Sequence, residues 1–534
     1  MDLLIVGAGF GGLYMLHRAR SMALNAVALD AADGVGGTWY WNRYPGARCD
    51  VESLEYSYGF DEALQQEWRW TERFAAQPEI LAYANHVADR FGLRPHIRLG
   101  TRVASAAFDE GAGLWRVAIE AGEAIEARFL VMATGCLSST NLPDIPGRDE
   151  FAGRAFHTGR WPHEPVSFAG RRVGVIGTGS SAVQSIPIIA NEASALVVFQ
   201  RTATYSIPAR NAPLDPAEEA EVKANYTDLR RRSRQMINGF GARFPRREVA
   251  CATATPEERE RAFEERWQYG GLFFLHAFND LMLDAGSNAA VAEFVRRKIR
   301  ERVKNPEIAR RLMPNQTIGC KRLCIDTGYF ETFDRPNVQL VDLKEAPIQR
   351  ISAKGVVVAG TRGGVAGGRT FELDDLVFAT GFDAMTGSLS RIDIRGRGGM
   401  ALNEHWAAGP RNYLGLAAAG FPNLFTLTGP GSPSVLTNMM VSIEQHVDWI
   451  SDCLAAMAKA GRTRIEATPE AEDAWVAHVN RVADRTLYSS CNSWYLGANV
   501  PGKVRIFMPL PGFPAYAAKC EEVVAKGYEG FAFA

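Results

Sequence analysis

The chain has 534 residues, 47% hydrophobic and 22% charged, the make-up of a soluble globular protein too long for one core, so two or three domains are expected. Its net charge of −1 gives no electrostatic case for nucleic acid or an anionic membrane. The eight cysteines show neither metal-ligand nor disulfide-framework spacing, so no metal site and reduced thiols in a cytoplasmic protein are expected.

Met1-Asp2 leads at once into Leu3-Leu4-Ile5-Val6, with no basic segment of a signal peptide before it. No apolar run approaches the ~18 residues of a membrane-spanning helix. Leu3–Val6 reads as a strand buried on both faces, followed by the turn Gly7-x-Gly9-x-x-Gly12 and a helical run from Leu13 to Ala19. Gly7 allows the tight turn, Gly9 a close phosphate, and Gly12 close packing of the helix, whose N-terminus attracts a pyrophosphate. A second strand, Ala26–Leu29, ends in Asp30, 23 residues after Gly7, where a carboxylate accepts from an adenosine ribose and repels a 2′-phosphate. This site suits FAD or NAD.

Residues 36–50 are too rich in glycine, aromatics and charge for an ordinary solvent loop. They suit the lining of a flat isoalloxazine ring, with a packed surface loop as the plain alternative. A helix is expected over Gln77–Phe91 and strands between Arg98 and Ile119, with Val103 lining the adenine end of the cofactor. Leu130-Val131-Met132-Ala133-Thr134-Gly135 is echoed by Leu376-Val377-Phe378-Ala379-Thr380-Gly381. Two such strand-to-loop elements bracketing a second glycine turn imply one domain inserted in another.

That second turn, Gly177-x-Gly179-x-x-Ala182, follows the buried strand Arg172–Ile176. The next strand, from Ala195 to Phe199, leads to Arg201-Thr202, with Arg201 24 residues after Gly177. A guanidinium in place of the carboxylate favours a 2′-phosphate, hence NADP(H), over a surface arginine beside an NAD site. From 206 onward the pattern becomes helical and charged. Arg230-Arg231-Arg232 and the 257–261 charge run read as solvated faces, and Phe273 to Met282 as a packed helix. Lys321-Arg322 are two cations in an apolar, cysteine-bearing loop, costly unless anions meet them. On residues alone a surface pair is equally compatible.

The fold class expected is α/β: two Rossmann-like dinucleotide-binding domains, the second inserted in the first, with a helical subdomain. The boundaries are 1–140 and 376–534 for the first domain, 141–205 and 317–375 for the second, and 206–316 for the helical part.

Phe151-x-Gly153-x-x-x-His157-x-x-x-Trp161-Pro162, between the two turns, resembles the fingerprint of Baeyer–Villiger monooxygenases carrying FAD and NADPH on one chain. Gly37-x-Trp39-x-x-x-Arg43-Tyr44-Pro45-Gly46-x-x-x-Asp50 resembles that family's second signature, and the likeness spans the whole chain, nearest the phenylacetone monooxygenase branch. The resemblance implies a flavin C4a-peroxide, formed from O2 after reduction by NADPH, that turns ketones into esters or lactones, with side sulfoxidation. By the same resemblance Arg322 stabilises the anionic oxygens, Asp50 holds Arg322, and Arg201, Thr202 and Lys321 take the 2′-phosphate. Thr178, Gly179, Ser180, Ser181, Ala182, Val183 and Gln184 cradle the pyrophosphate of NADP. Thr38, Trp39, Tyr40, Trp41, Asp50, Tyr56 and Met439 touch flavin, Arg48 the nicotinamide half, and Trp494 closes over NADP. His157 and Trp161 are expected to pin one domain on the other. Val435, Leu436 and Thr437 lie where the family's pocket varies, so the ketone stays open, and a monomer or weak homo-oligomer is expected. The competing readings are a flavin N- or S-oxygenating monooxygenase and a non-catalytic flavin redox sensor.

Overall fold

A computed structural model describes residues 1–360 and 368–534. Two parallel sheets carry the molecule. In chain order their strands are β1 (Leu3–Val6), β2 (Ala26–Leu29), β3 (Ile97–Arg98), β4 (Phe129–Met132), β5 (Arg154–His157), β6 (Arg172–Ile176), β7 (Ala195–Gln200), β8 (Val338–Asp342), β9 (Asp375–Phe378) and β10 (Leu424–Thr426). The first sheet has the order β10-β4-β1-β2-β3 and the second β8-β7-β6-β9-β5. Every strand pair in both is parallel, as unbroken apolar runs such as Leu3–Val6 require. Because β10 returns to the first sheet after all five strands of the second, the second unit is inserted in the first.

The two glycine turns repeat one geometry. Gly7 and Gly177 both have φ +114°, and a Cβ at either would run into the carbonyl of Ala133 or Ala379 respectively. Those alanines belong to the two echoed strand-to-loop elements, so each element closes down on the glycine turn beside it. Gly12 must also be glycine, since a Cβ there would strike the carbonyl of Gly7. Two helices start from the turns, α1 (Phe10–Ser21) and α2 (Ser180–Glu192), and a third, α3 (Met439–Lys459), packs on α1.

Between β7 and β8 the chain is helical at Pro216–Ala224, Tyr226–Gln235, Pro256–Tyr269, Ala285–Arg302 and Pro306–Leu312. Two expectations fail here. Phe273 to Met282 is no α-helix: after Gly270 and Gly271, both at positive φ, it forms a short 3₁₀ turn, Leu272–Ala277, buried as a wedge. Arg230 is no solvated charge either. It donates to the carbonyl of Glu55 (3.0 Å) and the hydroxyl of Ser57 (2.6 Å), sewing its helix to the first unit. Buried Glu55 reinforces that seam by accepting from Ser233 Oγ (2.7 Å) and the Gly241 N–H (3.0 Å).

The expectation of reduced thiols also needs correcting, because Cys320 and Cys491 form a disulfide across a separation of 171 residues. Such a pair leaves no spacing signature in the sequence; only the fold brings the two together. The other six cysteines are free and buried. Among the described residues no helix is long and apolar enough to cross a membrane.

Two histidines, His276 and His446, are buried and a third, His157, is half-buried, all without an acidic partner. Burial lowers the pKa of His157 to about 4 and those of His276 and His446 to about 3. In the unfolded chain each takes a proton near pH 6.5; in the native state each stays neutral until well below that. Their contribution is therefore complete above pH 6.5 and lost as pH falls, toward 4 for His157 and toward 3 for His276 and His446, at about 1.4 kcal/mol per pH unit for each group. His446 accepts from the Thr428 N–H (3.0 Å) and lies 2.7 Å from the Tyr516 hydroxyl. In His446→Gln, denaturant titrations from pH 7 to 4.5 should show the acid slope of stability reduced by about 1.4 kcal/mol per pH unit. An unchanged slope would show that His446 does not stay neutral.

Candidate functional site

Each glycine turn opens a helix whose N-cap, Gly9 or Gly179, supplies no side-chain acceptor, so the first N–H groups of α1 and α2 are uncapped. Uncapped N–H groups and the helix dipole make a ready anion site. Around Gly179 nothing lies within 4 Å of where a Cβ would sit, which leaves an open cradle over α2. The hydroxyls beside it face the protein instead. Thr178 donates to the Thr202 carbonyl (2.7 Å), Ser180 lies 3.3 Å from the Cys324 thiol and Ser181 3.0 Å from Thr158 Oγ1. A pyrophosphate at this turn falls to backbone N–H groups.

At the end of β2, Asp30 is 9% exposed and accepts from the N–H groups of Ala8 (2.6 Å) and Ala32 (2.8 Å). Burial raises its pKa, and the two N–H bonds pull against that rise. The Thr101 N–H bonds the Asp30 carbonyl (2.7 Å), carrying the strand that starts at Val103 past this corner, where Val103 packs in the apolar cluster that includes Val6 and Leu29. Thr38–Trp41 is a single helical turn entered through Gly36 and Gly37, both at positive φ, with Gly37 against Gly9. Trp39 Nε1 donates to the Tyr56 hydroxyl (3.0 Å), so these two rings form a fixed aromatic corner next to the first turn, while buried Tyr40 packs on Trp41 (5.0 Å).

On the second unit, Arg201 is exposed at the end of β7. Burial lowers the pKa of Lys321, and the Arg201 charge nearby lowers it further. Two cations close enough to repel each other, neither in an ion pair among the described residues, fit a phosphate dianion.

Arg322 is the pivot of the cleft. Its Nε and Nη2 grip the two oxygens of Asp50 (2.5 and 3.0 Å), and Nη1 donates to the Val435 carbonyl (2.7 Å). Burial opposes its charge, but the Asp50 carboxylate more than offsets that and holds its pKa above the ordinary value. A guanidinium has five N–H donors. Three are engaged, which leaves two for a reacting molecule. Beside it an apolar wall gathers Cys136, Met385, Val435, Leu436, Tyr495 and Phe507, and Met439 at the start of α3 joins this wall to the main core. Trp494 packs on Tyr495, ring centroids 4.3 Å apart, in the same wall.

Comparison with known proteins settles the family. Residues 4–232 match the pyridine nucleotide-disulphide oxidoreductase family model. A Baeyer–Villiger monooxygenase of Pseudooceanicola batsensis is 43% identical over 99% of this chain and 95% of its own. A solved steroid monooxygenase bound to NADP superposes with a TM-score of 0.94 at 51% identity, covering 100% of this chain and 99% of the other. The chain belongs to the Baeyer–Villiger monooxygenases. It is a flavoprotein enzyme that uses FAD and NADPH to oxidise ketones. A phenazine N-monooxygenase of Lysobacter antibioticus is 42% identical over 99% of this chain and 96% of its own.

Three parts of this monooxygenase's site lie elsewhere than, or go beyond, the sequence reading. Arg48 donates to Glu72 (2.7 Å) and the Phe74 carbonyl (2.9 Å), an anchor for its own loop. The Gln184 amide, expected at the pyrophosphate, instead accepts from the Tyr44 hydroxyl (2.8 Å) and donates to the Arg48 carbonyl (3.2 Å). It thereby latches the 43–48 loop of the first unit onto α2 of the second. Gly46 makes the approach possible, since a Cβ there would lie 2.5 Å from the Gln184 carbonyl. Its place within Tyr44-Pro45-Gly46 was the available signal. In the junction, His157 lies 3.3 Å from Thr380 Oγ1, on the second strand-to-loop element. Trp161 stacks on Phe156 (5.1 Å) and packs near Phe168 (6.2 Å) within its own unit. The ring contact across the units comes from His163, 4.7 Å from Tyr40, which the sequence reading missed.

Proposed function

We propose that this chain is a cytoplasmic, O2-dependent Baeyer–Villiger monooxygenase for ketones of largely apolar body, with Arg322 and Asp50 as its catalytic pair. The carrying observation is Arg322, locked by Asp50 with two N–H donors unengaged beside an apolar wall. The residues present fit both cofactors: the α1 turn, Asp30 and the Trp39–Tyr56 corner for FAD, the α2 turn and the Arg201–Lys321 pair for NADPH. When bound, FAD supplies the redox and dioxygen chemistry, with NADPH as electron donor. Arg322 presents a fixed positive charge to the carbonyl oxygen of the reacting ketone as it gains negative charge. Such charge is worth most where water is excluded and no reorganisation is needed. Asp50 fixes the plane of the guanidinium and keeps it charged. Val435 and Leu436, 4% and 7% exposed, exclude water and shape the ketone's seat.

The phenazine N-monooxygenase relative supports a second reading, oxygen transfer to nitrogen. Purified holoenzyme should be given aryl-alkyl, cyclic, long-chain and steroid ketones alongside a phenazine and a thioether. Ketone-stimulated NADPH consumption with ester or lactone detected by mass spectrometry is expected. N-oxide formation with no ester from any ketone would replace the first reading with the second.

A further inference from the structure

The Cys320–Cys491 bond joins two segments that both belong to the cleft. Cys320 immediately precedes Lys321 and Arg322, and Cys491 lies three residues before Trp494. The segment from Leu487 to Leu510 has little regular structure, only the 3₁₀ turns Leu487–Ser490 and Trp494–Leu496. Such a segment gains little from its own backbone and depends on what fastens it. One fastening lies at the crossovers between the units. Asn499 donates to the Phe382 carbonyl (2.7 Å) and receives Asn141 on its own carbonyl (3.0 Å), while Lys503 pairs with Asp383 (2.5 Å). On the side of the catalytic loop the fastening is the disulfide, with Cα atoms 5.6 Å apart. Its two residues are 5% and 7% exposed. A small uncharged oxidant reaches such sulfurs more readily than a bulky reductant does.

We propose that Cys320 and Cys491 are a peroxide-responsive dithiol–disulfide site that staples the Trp494 segment onto the Lys321–Arg322 loop. The oxidant is hydrogen peroxide. One thiolate attacks a peroxide oxygen, the O–O bond breaks, and a sulfenic acid forms as hydroxide leaves and takes up the first thiol's proton as water. The second thiolate attacks that sulfenic sulfur, the S–S bond forms, and the S–O bond breaks to release hydroxide, which the second proton converts to water. Two thiols and one peroxide thus give one disulfide and two waters. A dithiol reverses the step by exchange. Cations adjacent in sequence to Cys320 favour the thiolate that both directions need. Oxidised, the segment is held closed and bound NADP+ leaves slowly; reduced, it opens. The effect on NADP+ rests on the reading that Trp494 closes over that cofactor, whereas the staple itself does not.

The test uses FAD-loaded enzyme reduced with dithiothreitol, desalted and titrated with hydrogen peroxide. Peptide mapping without reductant should recover a Cys320–Cys491 cross-link that dithiothreitol removes. Trypsin cleavage at Arg505, exposed in the segment, should slow by about tenfold on oxidation, and NADP+ dissociation by a similar factor. Cys491→Ser and Cys491→Ala, with FAD content as the check on folding, should stay at the reduced values whatever the peroxide dose. No cross-link, a cross-link that resists dithiothreitol in folded enzyme, or equal cleavage of both forms overturns the staple. Slower cleavage with unchanged NADP+ dissociation overturns the coupling to Trp494 alone.

Discussion

Arg322→Ala should abolish ester formation, by a factor of about 10²–10³ or more, while NADPH still reduces the flavin at close to the normal rate. The two halves separate because the guanidinium's bonds are to Asp50 and Val435, in the wall of the cleft, rather than to either glycine turn. Removing it leaves the Asp50 carboxylate without its partner, and with Asp50 one-quarter exposed, water enters to solvate it instead of the site collapsing. Arg322→Lys tests geometry: it keeps a charge but cannot grip both oxygens of Asp50 and still offer two donors, so it should recover little ester. Stopped-flow reduction monitored at the flavin band, paired with product mass spectrometry, reads the two halves independently. Normal ester yield in the alanine variant would remove Arg322 from the chemistry. Equal loss of both halves would point to a disordered cleft.

How far the sequence foretells this site depends on whether a feature is local. β1, β2 and β6 are found at their expected residues because a strand buried on both faces needs an unbroken apolar run, and the glycines after β1 and β6 have no steric substitute. The inserted order of the units was legible for the same reason, since Ala133 and Ala379 must each meet a glycine turn. Features made by two distant segments were not. Cys320 and Cys491 are ordinary until folding sets them side by side, and the latch from Tyr44 to Gln184 spans 140 residues. Arg230 shows the converse error. Its neighbours Arg231 and Arg232 do pair with Asp228 at the surface, but the rotation of about 100° per residue puts Arg230 on the inner face, where carbonyls replace water. A run of like residues says nothing about which member points inward. Phe273 to Met282 failed as a helix because Gly270 and Gly271 turn the chain just before it, and a packed aromatic run satisfies burial in either conformation.

Cofactor choice gives the second large effect. Arg201→Ala should raise the KM for NADPH by about 10- to 100-fold and leave that for NADH nearly unchanged, because only the 2′-phosphate meets the lost charge. The structure sharpens the expectation in two ways. Arg201 is exposed and its side chain makes no hydrogen bond or ion pair among the described residues, so its removal leaves β7, the Thr178–Thr202 bond and the α2 turn intact. Lys321 also loses a repelling neighbour. The Arg201 charge is one of the causes that lower the Lys321 pKa, the larger being burial, so Lys321 in the variant holds its own proton more firmly. Lys321 remains as the second cation in the Arg201→Ala variant, which keeps NADPH binding measurable and predicts that the double variant Arg201→Ala, Lys321→Ala loses more than either single variant. The residual discrimination between NADPH and NADH should vanish in the double variant, since no cation then remains of the converging pair. Steady-state kinetics with both nucleotides checks this directly. A parallel loss for NADH would mean that Arg201 supports the turn rather than the phosphate.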